Sequence, residues 1–521
     1  MKTLNILTTG AFATLLLLGS CTKDVDNPNS PGGGGEGGVV EGIPTYATVS
    51  LSQRTGAGTY ADPGGYVNGT SAATNAEKKI NDAAVLVFNN NDVLENFVKF
   101  ENADIDAEPY AKTFATTTGK KRLYALANIG DDNYQKIEDI FNGTNAAAKQ
   151  LSNVCKVIQQ ITTIAEAANN TLDQENFWMS NVYKLNATIE DQVTVLEKSQ
   201  GDVVGGTDET TNNFTVYIGR MVSKVTPTFA DNLVINSGDG TIKIKDEHDA
   251  VVAEYRVRNN PTRFYTFPVY EGVQLVSPYY DKAYNPIDGT GVYPGALGAA
   301  DFFDNGHDDG GNHTFVKIAT DSYLTENSPK EAKRHKVTFL SIKAKWTPNE
   351  NALYLNTDGT VDAGGTVKTA IEGNQGTFYR VQKWQGGKIV GYCPGIYAET
   401  PAKWTDVGGT PGNGAGDLDT AVADRNAAKA SVNPCYLIVK YDQGMAYWAY
   451  WMRSRLDGTI AEKYALKRNN HYRVNIISVD GVGEPTEDDN LDKDENIEAD
   501  TYMKATIEVL NWNEVSIEGG I

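Results

Sequence analysis

Ile43-Pro44-Thr45-Tyr46-Ala47-Thr48-Val49-Ser50-Leu51-Ser52-Gln53-Arg54 places Ile43, Thr45, Ala47, Val49 and Leu51 at every second position, with Pro44, Tyr46, Thr48, Ser50 and Ser52 between them. A period of two sends alternate side chains to opposite faces of an extended chain, so this stretch predicts a strand with one buried face. A second stretch of the same kind lies near the other end of the chain. Met503, Ala505, Ile507 and Val509 alternate with Lys504, Thr506, Glu508 and Leu510 and lead into Trp512, Val515 and Ile517. Ala and a β-branched residue fall at comparable places on the two apolar faces, so the two strands are able to occupy the same kind of groove.

Between these ends, short runs rich in β-branched and aromatic residues recur between Gly, Asn, Asp and Pro clusters. Strands are expected at Ala84 to Phe88, Leu123 to Ile129, Phe214 to Ile218, Val337 to Trp346, Thr377 to Val381, Tyr436 to Tyr441, Met445 to Met452 and Tyr472 to Ile477. No alternation of strands with long helices is visible, which excludes a parallel α/β sheet. One helix is expected over Ala147 to Ala165, where Ala147, Leu151, Val154, Ile158, Ile161 and Ala165 share a face. Cys155 beside that stripe reads as a small buried thiol. The chain is therefore mainly β with a few short helices. Its body exceeds what one hydrophobic core usually serves, and two domains are expected. Residues 480 to 500 crowd Glu484, Glu487, Asp488, Asp489, Asp492, Asp494 and Glu495 together, which predicts a solvated acidic arm leading to the last strand.

Residues 1 to 21 open with Met1-Lys2, continue through an apolar run from Ile6 to Leu18 and close with Leu18-Gly19-Ser20-Cys21. The run is too short and too interrupted for a bilayer span and reads as an export signal. Small residues before Cys match a bacterial lipobox, which makes Cys21 a lipid anchor. Thr22 to Gly38, with its Gly32 to Gly35 run, is a flexible tether with nothing to bury. Acidic Asp24 and Asp26 just after that Cys resemble a surface-export signal of Bacteroidetes lipoproteins. Beyond Cys21 only Cys155, Cys393 and Cys435 remain, so no disulfide framework holds the fold. The formal charge is −21. Lys2, Lys23 and Arg54 against Asp24, Asp26, Glu36 and Glu41 leave −20 for the rest, a surface that repels nucleic acid.

Catalytic patterns are missing. His248, His307, His313, His335 and His471 are scattered, and no HExxH, GxSxG, P-loop or nucleotide-binding glycine motif occurs. Asp304 to His313 offers oxygens for a cation but lacks the spacing of a calcium loop, so no metal or other cofactor is expected. Tyr447, Trp448, Tyr450 and Trp451 could stack on a sugar, although residues alternating along one strand are more often core.

Several segments, taken in order, resemble the Bacteroidales fimbrillins, lipoprotein precursors of protease-assembled type V pili. They are the lipobox and tether leading to a strand that ends in Arg54-Thr55-Gly56, then Tyr217 to Thr226 and Val337 to Pro348. Lys467-Arg468-Asn469-Asn470-His471-Tyr472-Arg473-Val474-Asn475-Ile476 resembles the family's penultimate strand. Thr501-Tyr502-Met503 with Val509-Leu510-Asn511-Trp512 resembles its last strand, including the position of the Trp. The resemblance implies two transthyretin-like β-sandwich domains, about 55–224 and 225–500, preceded by a propeptide (22–54) and followed by a donor strand (501–521). It implies a shaft subunit and not an enzyme. An arginine-specific protease cuts between Arg54 and Thr55, the strand carrying Ala47, Val49 and Leu51 leaves, and the last strand of an identical subunit fills the vacated groove. The implied partners are other copies of the chain, accessory tip and anchor proteins, the outer membrane through the precursor's lipid, and host or bacterial surface receptors. Adhesion and biofilm formation follow. A tip or anchor subunit and a surface glycan-binding lipoprotein are the alternatives.

Overall fold

The structure is a computed structural model that describes residues 39–53, 70–105, 110–151, 153–154, 177–181, 192–204, 206, 208–235, 239–260, 266–267, 270–271, 274–275, 315–329, 332, 334, 337–405, 415–454, 458–487, 497 and 503–513. In its N-terminal half the strands run, in spatial order, Leu94–Phe100, Ala83–Asn89, Gly119–Ala127, Met179–Ser180, Asn213–Arg220, Pro44–Gln53 and Tyr110–Thr117, with Gln192–Val195 also pairing Gly119–Ala127. Ala83 to Phe88 is buried at every residue. Such an unbroken apolar run belongs to a strand covered on both faces. The helix Asp131–Asn142 covers this region with Tyr134 and Ile137.

The C-terminal half packs two layers. One sheet orders Ser322–Leu324, Ser223–Ile235, Asn470–Val479, Met503–Asn513 and Thr70–Ala72. The facing sheet orders Gly240–Lys243, Phe339–Pro348, Glu254–Arg258 and Val316–Lys317, and Met445–Trp451 joins Phe339–Pro348. Tyr472, Val474 and Ile476 from the first layer meet Leu340, Ile342, Trp346 and Trp448 from the second in one core, the arrangement of a β-sandwich. A further sheet, Lys388–Tyr392, Phe378–Gln385 and Cys435–Tyr441, extends this half. Every strand expected between the two ends is present, and the chain is mainly β with short helices. Of the helix expected over Ala147 to Ala165, Leu151 and Val154 are buried, and Cys155 onward lies outside the described residues.

Between Arg220 and Ser223 the chain leaves the first sheet and enters the second. This junction is polar, buried and paired. Glu77 accepts from the Thr74 N–H at 2.7 Å, from the Tyr323 hydroxyl at 2.9 Å and from Lys224 Nζ at 3.2 Å, while Arg220 Nε donates to the Glu77 carbonyl at 2.7 Å. Arg468 grips Glu326 through two hydrogen bonds of 2.6 Å each and reaches the Thr266 carbonyl and the Ser180 hydroxyl. Buried charges are tolerated where they are paired and hydrogen-bonded in this way.

Candidate assembly site: the first and last strands

Pro44–Gln53 sits inside its sheet. On one side it runs antiparallel to Tyr110–Thr117, from Pro44 opposite Thr117 to Leu51 opposite Tyr110. On the other it runs parallel to Asn213–Arg220, from Thr48 opposite Asn213 to Gln53 opposite Ile218. Ala47 and Val49 are fully buried and Leu51 is 2% exposed. Val49 and Leu51 join the main core of this half, and Ala47 packs with Val195 and Phe214. Among the described residues, Tyr110–Thr117 forms no ladder with any other strand.

Polar groups hold the same strand at its start. The Thr45 hydroxyl donates to the Leu196 carbonyl and accepts from the Lys198 N–H, both at 2.8 Å. Asn212, fully buried at φ +56°, donates from Nδ2 to the carbonyls of Tyr46 and Leu196 and accepts from the Leu196 N–H. Thr48 falls on the polar face by periodicity yet is buried, because its hydroxyl lies 2.7 Å from that of Thr113. Nothing in the periodicity marks Thr48. The signal for Asn212 was the Asn-Asn pair immediately before a strand, since Asn tolerates the left-handed region and bonds nearby backbone.

Met503–Asn513 has one full neighbour. It runs antiparallel to Asn470–Val479, from Met503 opposite Val479 to Asn511 opposite Asn470. Among the described residues its other edge is met near its end, where Thr70–Ala72 lies parallel to Asn511–Asn513. Leu510 is buried, and half-buried Ala505 packs against the second core. In the single chain the last strand therefore completes its own sheet. Met503, Ile507, Val509 and Trp512 lie on this strand. Cys21, Arg54, Thr55, Val515 and Ile517 lie outside the described residues, as do Asp304 to His313 and His335.

Beside the last strand, opposite Leu510, stands His471. Its Nε2 is 2.6 Å from the Thr226 hydroxyl, which donates to Asp321 at 2.5 Å. Burial first, and then the cations Lys224 and Arg473, hold the imidazole down at about 4, against the pull of Asp321 and Glu77. The ring is neutral at pH 7.

The acidic arm is not wholly solvated. Glu487 is half-buried against Arg256, which donates from Nε at 2.8 Å, and Arg258, whose Nη1 lies 2.5 Å away. Burial opposes its charge, but these two guanidiniums hold the carboxyl below the ordinary carboxylate range. Ile497 is also buried, in a small core of Val337, Phe339, Ala449, Trp451 and Tyr464, and its N–H donates to the Ala332 carbonyl at 2.8 Å. The aromatic run is equally inward: Trp448, Tyr450 and Trp451 are buried and Tyr447 is half-buried, which removes the sugar platform.

These features define a β-sandwich protein with an internal first strand and a last strand paired in full along one side and briefly along the other. The model of the family described as major fimbrial subunit protein (FimA) matches residues 47–220, and that of major fimbrial subunit protein type IV, fimbrillin, C-terminal, matches residues 439–518. Two separate stretches, one towards each end of the chain, thus match models of fimbrial subunits of the fimbrillin type. No curated protein matches its sequence. Among solved structures, a fimbrilin (FimA) from Porphyromonas gingivalis is 13% identical with a TM-score of 0.41, covering 90% of this chain and 98% of that one. A proposed cell adhesion protein from Parabacteroides distasonis is 12% identical at 0.40, covering 91% and 100%. The tip fimbrial protein Mfa3 from Porphyromonas gingivalis, with C-terminal truncation, is 12% identical at 0.34, covering 90% and 100%. At such scores the family assignment rests on the two sequence models.

Proposed function

We propose that this chain is the shaft subunit of a cell-surface fimbria, joined head to tail by donated last strands. The observation that carries the reading is the place of Pro44–Gln53, an internal strand built from residues upstream of Arg54. Cutting after Arg54 and releasing that strand leaves Asn213–Arg220 and Tyr110–Thr117 with facing unpaired edges over an apolar channel. Such a channel is a template for an incoming strand. The last strand has the matching period, and at home it is held by one long ladder with Asn470–Val479 and a short one with Thr70–Ala72, which donation exchanges for the two ladders of the vacated groove. Burying Ile507, Val509, Leu510, Trp512, Val515 and Ile517 in a neighbour contributes on the order of 10 kcal/mol before ordering costs, with ladder hydrogen bonds added. A head-to-tail contact does not close on itself, so the product is a filament.

On this reading Cys21 tethers the precursor to the outer membrane, an arginine-specific protease triggers assembly, tip and anchor proteins terminate the filament, and surface receptors engage it. The test is mass spectrometry with N-terminal sequencing of protein sheared from cells, comparing the native chain with Arg54→Ala. Mature chains beginning at Thr55, and loss of SDS-resistant ladders in the variant, are the expected outcome. Monomers still lipidated at Cys21 in both would sink the reading.

A further inference from the structure

We propose that the donated strand enters the vacated groove in one register, with Ala505 and Thr506 of the incoming copy taking the places of Ala47 and Thr48. This rests on the strand-donation reading above and adds which residue meets which slot. The two strands share a local order, since Ala47-Thr48-Val49-Ser50-Leu51 matches Ala505-Thr506-Ile507-Glu508-Val509 as an Ala-Thr pair followed by apolar residues at every second position. They also share a setting. Each has one antiparallel and one parallel neighbour: Tyr110–Thr117 and Asn213–Arg220 for the first strand, Asn470–Val479 and Thr70–Ala72 for the last. A donor running in the first strand's direction therefore keeps the two kinds of ladder it has at home.

The groove selects by size and polarity. Ala47 has no exposed surface and packs with Val195 and Phe214, with Phe114 and Leu123 against them, so its slot is fitted to a methyl group. Of Met503, Ala505, Ile507 and Val509, which alternate on the donor's apolar face, Ala505 alone has that size. The next slot is polar: buried Thr48 has its hydroxyl 2.7 Å from that of Thr113, and Thr506 supplies the same group. Sliding the donor by two residues in either direction would push Met503 or Ile507 into the alanine slot and set Lys504 or Glu508 against Thr113. One site is then overpacked and the other buries a charge. A slide of one residue turns the apolar face outward, and a reversed strand centred on Ala505 again brings Lys504 to Thr113. In the assigned register Ile507 and Val509 follow Val49 and Leu51 into the main core. Leu510 then replaces Ser52 opposite Tyr217, whose ring is 47% exposed beside the serine, and adds apolar contact that the first strand does not offer.

The experiment is a cysteine ruler in the full-length precursor. Thr113→Cys is combined with Lys504→Cys, Thr506→Cys or Glu508→Cys, three donor positions on one face. Each protein, mixed equally with its 15N-labelled form, is treated with an arginine-specific protease and oxidised, and disulfide-linked peptides of mixed isotope composition report links between subunits. Thr506→Cys is expected to give about fivefold more of these links than either neighbour, because a disulfide needs close Cβ atoms. A maximum at Lys504→Cys or Glu508→Cys overturns the register while donation stands. Polymers without mixed links in any of the three pairs would mean that the last strand does not enter this groove, and the register falls with that reading. A competition in the unsubstituted protein frees the test from how the cysteine variants fold. A peptide of residues 503–513 added during proteolysis should shorten the SDS-resistant ladders, and the Ala505→Leu peptide should need about tenfold more to do so. Equal potency of the two peptides would overturn the proposal.

Discussion

The first and last strands share a sequence rhythm and differ in how they are held. Pro44–Gln53 is flanked on both edges and threads the core through Ala47, Val49 and Leu51, whereas Met503–Asn513 has one full neighbour and a short contact on its other side. An internal strand cannot leave by fraying, because its exit opens two ladders and a dry core together. A strand near the end of its sheet, paired in full on one side, can, since local opening spans free energies far below that of global unfolding. The asymmetry suits the proposed assembly, in which the blocking strand is removed by proteolysis and the donated strand is released by thermal motion.

The largest test of this contrast places a carboxylate in each strand. Val49→Asp is expected to cost 4 kcal/mol or more, roughly the penalty of an unpaired buried charge, and to collapse the urea midpoint. Leu510→Asp should leave the main midpoint nearly unchanged and raise hydrogen exchange only in the last strand. Equal losses would break the comparison. Next in size, Arg468→Met leaves Glu326 buried and unpaired at the junction and should cost about 3 to 5 kcal/mol, with Arg468→Met plus Glu326→Leu restoring most of it. Asn212→Ala removes the bridge from the first strand to Leu196 and should cost about 1 to 3 kcal/mol, seen as faster exchange at Thr45 to Thr48 and not in the last strand.

The smallest effect is pH dependence. His471 titrates at about 4 in the folded chain and near 6.5 when unfolded, so between those values the unfolded chain binds more protons. Stability is full above about pH 6.5 and falls as pH drops towards 4. The loss at pH 5 relative to pH 7 should be about 2 kcal/mol and be absent in His471→Gln, as followed by urea unfolding at both pH values. Glu77, Glu95 and Glu487, all held below their usual value, add a further loss as pH falls below about 4.5.

Much of this architecture was legible because strands announce themselves locally. The alternation at Thr45, Ala47, Val49 and Leu51 matches their burial, and the continuous run Ala84 to Phe88 matches a doubly covered strand. What could not be read depended on distant partners. Glu487 looked solvated among its acidic neighbours, because composition counts charges and not the arginine at a separation of 231 residues that neutralises one of them. Ile497 was a lone apolar residue without a pattern. Thr48 was assigned to the polar face, where its hydrogen bond to Thr113 could not be foreseen. The junction formed by Glu77, Arg220, Lys224 and Tyr323 draws on residues from 77 to 323, and no spacing rule links them.

The central claim, donation of the last strand into the groove of the first, is tested most directly by amine cross-linking of fimbriae assembled from an equal mixture of ordinary and 15N-labelled subunits. Lys504 lies on the last strand and Lys112 on the strand that flanks the first. The account predicts Lys504 to Lys112 cross-linked peptides, about half of them of mixed isotope composition. Lys504 peptides that link only within one subunit, with no mixed masses, would contradict it.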